Sequence, residues 1–355
     1  MFALMEVMVM NDISLLTAPA LLAIGLTEPE RLFGGDEQTA KREFRALAAR
    51  WHPDRCPARG ATEVFQHVSR LYEAALRKLR GGLWQTPGLL VLRARDGARY
   101  KVRYRQERAF ELGRLFVGRE IAAYVVEKEH ADLFENALQT LDRLPCADAR
   151  MAAEVGRALP QIVRRFETEA HCVLVLRKAA DQVPLRDLLD HLGGRMDARH
   201  VAWIVSSLLN LACYLDYAQL AHNAITLDSW FVSPSQHGGA LLGGWWYAVR
   251  QGEPMLAAPA ATVQHAPFEV MEHRRGDRRT DLELIRALGR ELLGDASGAR
   301  LARENAAPPP MIDWLRRPAD GCAVRDYQTW MSQVLKDSFG ERRFVKLDIN
   351  VEELY

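Results

Sequence analysis

Residues 41–55 read KREFRALAARWHPDR, a pattern that predicts an amphipathic helix ending at a sharp turn. Phe44, Leu47 and Trp51 recur at i, i+3 and i+7, which is the spacing of one apolar helix face. Pro53 disfavours helical backbone at the residue before it, so the helix is expected to end there. The stretch holds five basic and two acidic residues. It therefore predicts a positively charged helix face that leads into an exposed turn.

Further helices are predicted on either side of this stretch. Thr17-Ala18-Pro19 is typical of the start of a short helix, and Gly34-Gly35 breaks the chain before Asp36, a suitable N-cap residue. Another helix is expected from about Thr62 to Arg80. Because two antiparallel helices with facing apolar sides form a small bundle, residues 15–80 are predicted to be an all-α domain. The apolar side of the later helix consists of Phe65, Val68, Tyr72, Ala75 and Leu79.

Residues 81–104 are predicted to be a linker that includes a β-hairpin. Gly81-Gly82 and Pro87-Gly88 are the residue pairs that commonly interrupt regular structure. Two runs of strand-forming residues, 89–93 and 100–104, flank Asp96-Gly97, and this dipeptide favours a tight turn between antiparallel strands.

Residues 105–345 are predicted to form one larger domain in which strands come first and helices follow. This order is typical of the α+β class, so the whole chain is expected to be multidomain, with a small all-α domain followed by an α+β one. The expected strands are 110–116, 121–126 and 172–176, and the expected helices are 132–144, 185–191, 198–218 and 281–293.

Composition narrows the functional classes. With 47 basic and 46 acidic residues the net charge is +1, so we expect neither nucleic acid nor an acidic membrane as a partner. The apolar runs are shorter than the about 20 residues that cross a bilayer, and Met1–Met10 lacks the basic residues of a secretory signal. The five cysteines are scattered without metal-ligand spacing. We therefore expect a cytoplasmic protein without a metal site or cofactor.

The stretch 41–55, together with the helix from Phe65 to Leu79, resembles the J domain of the DnaJ co-chaperones. J domains bind DnaK-type heat-shock ATPases and stimulate their ATP hydrolysis, so the resemblance implies such an ATPase as partner. By position, His52, Pro53 and Asp54 would trigger hydrolysis. The docking charge would come from Lys41, Arg42, Arg45 and Arg50.

The chain from about Arg105 to Phe344 resembles the protein-kinase fold. Residues 221–232, AHNAITLDSWFV, resemble the catalytic loop, and residues 241–245, LLGGW, occupy the place of the metal-binding motif. Residues 266–269, APFE, resemble the end of the activation segment. Thr280-Asp281-Leu282 resembles the start of the next buried helix. The hinge strand would be residues 174–176, and the long helix from residue 198 would be the central helix of the larger lobe.

The groups that phosphoryl transfer requires are missing from the matching positions. A carboxylate must accept the hydroxyl proton, a cation must steady the γ-phosphate, and an amide and a carboxylate must hold Mg²⁺. Lys128 is the only lysine near the expected strand, and its helix partner would be Ala137. The resemblance therefore implies a pseudokinase that is not an enzyme. The other four positions hold Ala224, Thr226, Ser229 and either Gly243 or Gly244.

Three functions remain open on the sequence. The first is an adaptor co-chaperone whose kinase-like domain docks an unidentified protein client or other partner. The second is an atypical kinase or nucleotide-binding enzyme, and the third is a structural assembly protein with a vestigial J domain.

Four further features have modest expected roles. Asp228 is expected to act as a cap or turn former rather than as a base. The cluster Trp245-Trp246-Tyr247 is expected to pack in a core, and the arginine-rich run 274–279 to be a solvated loop or to meet an acidic protein. Glu269 is expected to form an ion pair with an arginine of the late helices, such as Arg325.

Overall fold

A computed structural model describes residues 16–58, 60–341 and 344–355. By its internal contacts the chain divides into two units, one of residues 1–104 with 166–171, the other of residues 105–165 with 172–355. The expectation about Met1–Met10 and the first residue of the predicted helical domain fall outside the described residues. In the described part of the chain, no helix is both long and apolar enough to span a bilayer.

The first unit begins with helices whose ends follow from local chemistry. The Asp36 side chain accepts a hydrogen bond from the Thr39 backbone N–H at 2.8 Å, which fixes the start of the second helix. That helix ends at Trp51, before the His52-Pro53 pair, as the sequence predicts. The helices are α1 (Ala18–Leu22), α2 (Glu37–Trp51) and α3 (Ala61–Arg80), with a short 3-10 turn at Pro29–Arg31.

α1, α2 and α3 share one apolar core. Leu21, Leu47 and Leu71 are each at most 1% exposed, one from each helix. Phe44 stacks on Tyr72 with ring centroids 4.3 Å apart, which joins α2 to α3 along the predicted stripes. The two long helices therefore hold the turn between them by packing rather than by the turn residues themselves.

A three-stranded antiparallel sheet completes the first unit. The hairpin predicted around Asp96-Gly97 is present, and a third strand precedes it where the sequence suggested only a linker. The strands are β1 (Leu83–Thr86), β2 (Leu89–Arg93) and β3 (Arg99–Arg103), and the order β1-β2-β3 leaves β3 at one edge.

The second unit opens with a five-stranded sheet, whose strands lie in the spatial order β4 (Gln106–Phe110), β5 (Gly113–Val117), β6 (Ile121–Glu127), β8 (His171–Arg177) and β7 (Gln161–Glu167). The predicted single strand 110–116 is wrong, because the chain turns at residues 111–112 and Phe110 pairs with Gly113. A Cβ at Gly113 would collide with the carbonyl of Val125, so only glycine allows the close approach of β5 to β6. Helices α4 (Ala131–Leu141) and α5 (Ala149–Val155) lie between β6 and β7 in the chain.

The rest of the second unit is mainly helical, and its central helix, Ala198–Tyr217, buries half of its 20 residues. Five short strands lie before and after this helix in the chain. The strands are β9 (Val183–Pro184), β10 (Leu220–Ala221), β11 (Trp230–Ser233), β12 (Gly238–Leu241) and β13 (Val249–Arg250). The helices are α6 (Leu185–His191), α7 (Ala198–Tyr217), α8 (Ala260–His265), α9 (Phe268–His273), α10 (Arg278–Leu292), α11 (Pro309–Arg316), α12 (Ala323–Thr329) and α13 (Leu335–Phe339).

Glu269 pairs with an arginine of the late helices, as the sequence predicts, and its partner is Arg279 of α10 at 3.5 Å. The suggested candidate Arg325 was wrong, because it pairs with Asp320 at 3.0 Å. A separate ion pair, on α10 and α12, is buried. Arg286 donates to Asp326 at 2.9 Å, and its guanidinium lies 4.1 Å from the centre of the Trp314 ring. The stacked ring and the carboxylate together compensate the burial of the arginine charge.

Candidate functional site

The His52-Pro53-Asp54 corner projects from the junction of α2 and α3. The His52 side chain is 44% exposed and the Asp54 side chain is 86% exposed. The His52 ring meets the Phe65 ring edge-on, with centroids 5.4 Å apart, so one side of the imidazole is held against α3. The corner is thus displayed to solvent on a rigid support.

Hydrogen bonds fix the orientation of the imidazole at this corner. The Asp54 backbone N–H donates to His52 Nδ1 at 3.3 Å, and the Asp54 carboxylate lies 3.7 Å from the same nitrogen. Because Nδ1 accepts this bond, the neutral ring carries its proton on Nε2. The neutral corner therefore presents one N–H donor and one carboxylate acceptor.

The four predicted docking cations are all exposed on α2, but they do not form one cluster. Since successive helix residues are separated by about 100°, Lys41, Arg42 and Arg45 fall within one arc opposite the buried face. Arg50 lies on the other flank, where its guanidinium is 5.1 Å from the centre of the Trp51 ring. The structure thus brings three cations together and places the fourth near the His-Pro-Asp corner.

In the second unit, the loop after β10 is held by one carboxylate. Asp281 on α10 accepts hydrogen bonds from the backbone N–H groups of His222 and Asn223, each at 2.8 Å. Asn223 has a left-handed backbone with φ of 61°, and its side chain donates to the Tyr247 carbonyl at 3.0 Å. The loop conformation is therefore imposed by buried polar contacts rather than by glycine.

The residues assigned to the catalytic positions do meet around this loop. The backbone N–H groups of Leu242 and Gly243 both donate to the Ser229 carbonyl at 3.0 Å. The Ser229 hydroxyl accepts from the Thr226 N–H at 2.8 Å and donates to the Thr226 carbonyl at 3.1 Å, so it is occupied in holding the turn. Ala224, 4% exposed, contributes a methyl group. The side chains at the four assigned positions, Ala224, Thr226, Ser229 and Gly243, are all uncharged.

Three aromatic rings fill the space between the sheet and this loop. Phe110, Tyr124 and Trp246 contact one another pairwise, with centroids 4.9 to 5.6 Å apart. A Cβ at Gly243 would stand 2.8 Å from the Tyr124 hydroxyl, so the phenol reaches the position expected to hold the metal carboxylate. Burial raises the pKa of Tyr124 far above its ordinary value, and the phenol stays protonated. The predicted packing role of the aromatic cluster agrees with the burial of Trp245, Trp246 and Tyr247.

A second set of contacts lies between β4 and α6, where the segment 344–355 also packs. Asp187 forms an ion pair with Arg108, and the Tyr355 hydroxyl donates to Asp187 at 2.9 Å. Glu352 lies 2.9 Å from Arg105. Burial raises the pKa of Asp187, while Arg108 and Tyr355 act in the opposite direction. These residues were not identified as site residues, because no motif marks them.

The remaining expected positions offer little chemistry. Lys128 follows β6, with Nζ 3.9 Å from Cys172 Sγ, and Ala137 is fully buried on α4 without a carboxylate to offer. Asp228 is 56% exposed and lies 3.5 Å from Arg186. Within residues 16–58, 60–341 and 344–355, no three His, Cys, Asp or Glu side chains are grouped as a metal ion would require.

Comparison with known proteins gives no match, either to a protein-family model or to a curated protein.

The Gly243 position tests how tightly the aromatic rings fill the loop. We expect Gly243→Ala to lower the free energy of unfolding by about 1–3 kcal/mol, since the added methyl group overpacks the site. The loss should be smaller in a Tyr124→Phe background, because the nearest atom is then absent. Urea unfolding of the four proteins of this cycle measures the coupling. Gly238→Ala is the control, as its Cβ would have no atom within 4 Å; equal losses in both backgrounds would contradict the packing.

The pH dependence of stability tests the buried pair His222 and Asp281. Burial lowers the pKa of His222 to about 3 and raises the pKa of Asp281 to about 7. As pH falls below about 6.5, His222 is protonated in the unfolded chain but stays neutral in the folded chain. This histidine therefore lowers the free energy of unfolding as pH falls. Asp281 has the opposite sign, because from about pH 7 down to 4 the folded chain takes up its proton first.

We therefore expect the stability cost of His222→Gln to shrink as pH falls from 6.5 to 4.5, and the cost of Asp281→Asn to grow. Each slope is limited to about 1.4 kcal/mol per pH unit for a single group. Denaturant unfolding at several pH values measures both variants against the parent. Costs that do not change with pH would contradict the opposed titration.

Proposed function

We propose that this protein is an adaptor co-chaperone whose first unit acts as a J domain on a DnaK-type heat-shock ATPase. The observation that carries the proposal is the exposed His-Pro-Asp corner between α2 and α3, with His52 braced by Phe65 and the Asp54 side chain 86% exposed. Both flanking helices share a buried core, so the corner is presented in one fixed geometry.

In this proposal each exposed group of the corner and of α2 has a defined role. His52, Pro53 and Asp54 transmit the signal that triggers hydrolysis in the ATPase. The cations of α2 dock on an acidic surface of that partner, where long-range attraction raises the association rate and charge-assisted hydrogen bonds hold the complex. Because Lys41, Arg42 and Arg45 share one arc, we assign them the main docking contact. Arg50, close to the corner, completes it.

We further propose that the second unit is kinase-like and acts as a docking module without phosphoryl transfer. Its five-stranded antiparallel sheet, with α4 between β6 and β7, is the arrangement expected for the smaller lobe. The hold of Asp281 on the loop at residues 222–223 supports the same interpretation. At the catalytic positions the loop presents Ala224, Thr226, Ser229 and Gly243, which can neither accept the proton nor bind Mg²⁺.

Joining the two units in one chain gives the proposed function its physical advantage. A client or partner held by the second unit keeps the J domain beside it, which raises the effective concentration of the recruited ATPase. The client is a protein that the second unit binds. In this proposal the protein acts in the cytoplasm, where DnaK-type ATPases work.

Stimulated ATP hydrolysis tests the first unit directly. With a purified DnaK-type ATPase under single-turnover conditions, we expect the parent chain to accelerate hydrolysis and His52→Gln or Asp54→Asn to lower that stimulation at least about tenfold. His191→Gln, an exposed histidine of α6, is the matched control and should behave as the parent. A parent that stimulates none of several such ATPases would favour a vestigial J domain.

The docking charge is tested in the same assay with a matched pair of arginines. Arg45→Gln on α2 should weaken stimulation about threefold at low salt, with a smaller effect at high salt, because exposed charges are screened. Arg77→Gln, an exposed arginine of α3 outside the predicted set, should have no effect. Equal effects of the two variants would show that the cations of α2 do not form the docking contact.

Nucleotide titration tests the second unit. We expect no saturable binding of Mg-ATP at millimolar concentration and no transfer of radiolabelled γ-phosphate, because the positions assigned to the base and to the metal ligands carry no carboxylate. Calorimetry and filter assays measure the two quantities. Transfer that is lost on Asp228→Ala, which removes the acidic residue within 221–232, would establish an atypical kinase instead.

A further inference from the structure

Strand β3 carries a row of cations along the open edge of the three-stranded sheet. Arg99, Lys101 and Arg103 alternate along the strand, so their side chains leave the same face, and all three are exposed. Arg93 on β2 stands directly opposite Arg99 in the register. Like charges in directly opposed positions destabilise a strand pair. A bound anion between these arginines would relieve their repulsion.

The backbone of the same residues is also available. The Ala94 N–H donates to the Ala98 carbonyl and the Tyr104 N–H to the Gly88 carbonyl, which fixes the alternation of the β2–β3 ladder. In that alternation the N–H and C=O groups of Arg99, Lys101 and Arg103 point away from β2. No strand of the described residues pairs with this side of β3.

The acidic side chains near this edge are already engaged elsewhere. β1, β2 and β3 contain no acidic residue. Asp36 and Glu37 line the 550 Å³ cavity that Arg93 and Arg99 border, but Asp36 caps α2 and Glu37 lies 3.8 Å from Arg80. At the hairpin tip, Asp96 accepts from the Ala98 N–H, and Glu167 pairs with Arg95. The described residues contain no ion-pair partner for the four cations.

The geometry favours a peptide strand over a nucleic acid. Single-stranded nucleic acid is held by aromatic side chains on which its bases stack. The sheet face that carries Arg99, Lys101 and Arg103, here called the cation face, lacks an exposed ring. Its one aromatic residue is Trp84, 5% exposed. Tyr100 belongs to the other face, where it stacks on Phe166 with centroids 4.3 Å apart. An added strand, by contrast, uses both the free backbone edge and the alternating charges.

We propose that the β3 edge binds an extended acidic polypeptide segment, which pairs with residues 99–103 as a fourth strand and places acidic side chains at every second position against Arg99, Lys101 and Arg103. This surface goes beyond the proposed function, since it is distinct from the His-Pro-Asp corner and does not require ATPase stimulation. It gives the first unit a site for a second protein.

Two peptides of identical composition test the alternation. The first is acetyl-TEVEVEVT-amide, whose glutamates alternate, and the second is acetyl-TVVEEEVT-amide, whose glutamates are contiguous. Fluorescence anisotropy with the full-length protein at low salt should give a Kd at least about threefold lower for the first, because only alternating residues leave the same strand face. Equal affinity of the two peptides would overturn the strand register.

Variants of Lys101 separate the side chain from the backbone. Lys101→Gln should weaken binding of the alternating peptide about threefold, and Lys101→Glu about tenfold, by loss and reversal of one ion pair. Lys101→Pro removes the outward N–H in addition to the charge, at an edge position where proline is tolerated, and should weaken binding more than Lys101→Gln. Circular dichroism and thermal unfolding confirm that each variant is folded.

The control is Arg164→Glu, a charge reversal at an exposed arginine of β7, which is the edge strand of the other sheet. It should leave peptide binding unchanged. An equal loss in this variant, or equal affinities of Lys101→Pro and Lys101→Gln, would reduce the effect to general electrostatics. Tighter binding of an oligothymidylate of the same charge would identify the edge as a nucleic-acid surface instead. Either result overturns the proposal, and ATPase stimulation, measured in parallel, reports separately on the J domain.

Discussion

The hold of Asp281 on the loop after β10 is the constraint on which the larger unit depends. One buried carboxylate accepts two backbone hydrogen bonds, at His222 and Asn223, and fixes a turn that has no glycine to relax it. The position of Ser229, of the strand pair β11–β12 and of the aromatic residues after it follows from this turn. A buried carboxylate is expensive to desolvate, so its two donors are a condition for the fold rather than an addition to it.

The aromatic rings beside the same loop show what close packing contributes to this unit. Buried charged groups require water, metal or each other to compensate them, and they resist close packing. Phe110, Tyr124 and Trp246 have no such requirement, and their rings pack directly against one another. The gain is cohesion between the sheet and the helical region within the second unit.

The sequence predicts best what is local and periodic. The apolar stripes of α2 and α3, the proline that ends α2 and the hairpin at Asp96-Gly97 depend on neighbours within a few residues, and each is present as expected. β7 was missed because it is an edge strand whose residues, QIVRRFE, are mostly exposed and do not alternate clearly. Glu269 pairs with an arginine of the late helices as expected, but charge alone could not choose Arg279 over Arg325.

The candidate sites divide in the same way. The His-Pro-Asp corner could be located because two helices and a turn mark it along the chain. The contact of Tyr355 with Asp187 spans 168 residues and is set by tertiary packing, and nothing in the local sequence of either residue signals it. Tyr124 lies in an apolar run, and no neighbouring residue in the sequence indicates what its hydroxyl contacts.

The open edge of β3 has one more consequence, for the behaviour of the protein at high concentration. Exposed edges are where globular proteins add strands from other copies of themselves and begin to aggregate. Two copies meeting at this edge would bring six cations together, three from each strand, and would repel each other before their backbones could pair. The edge thus stays open in a crowded solution without becoming a site of self-assembly.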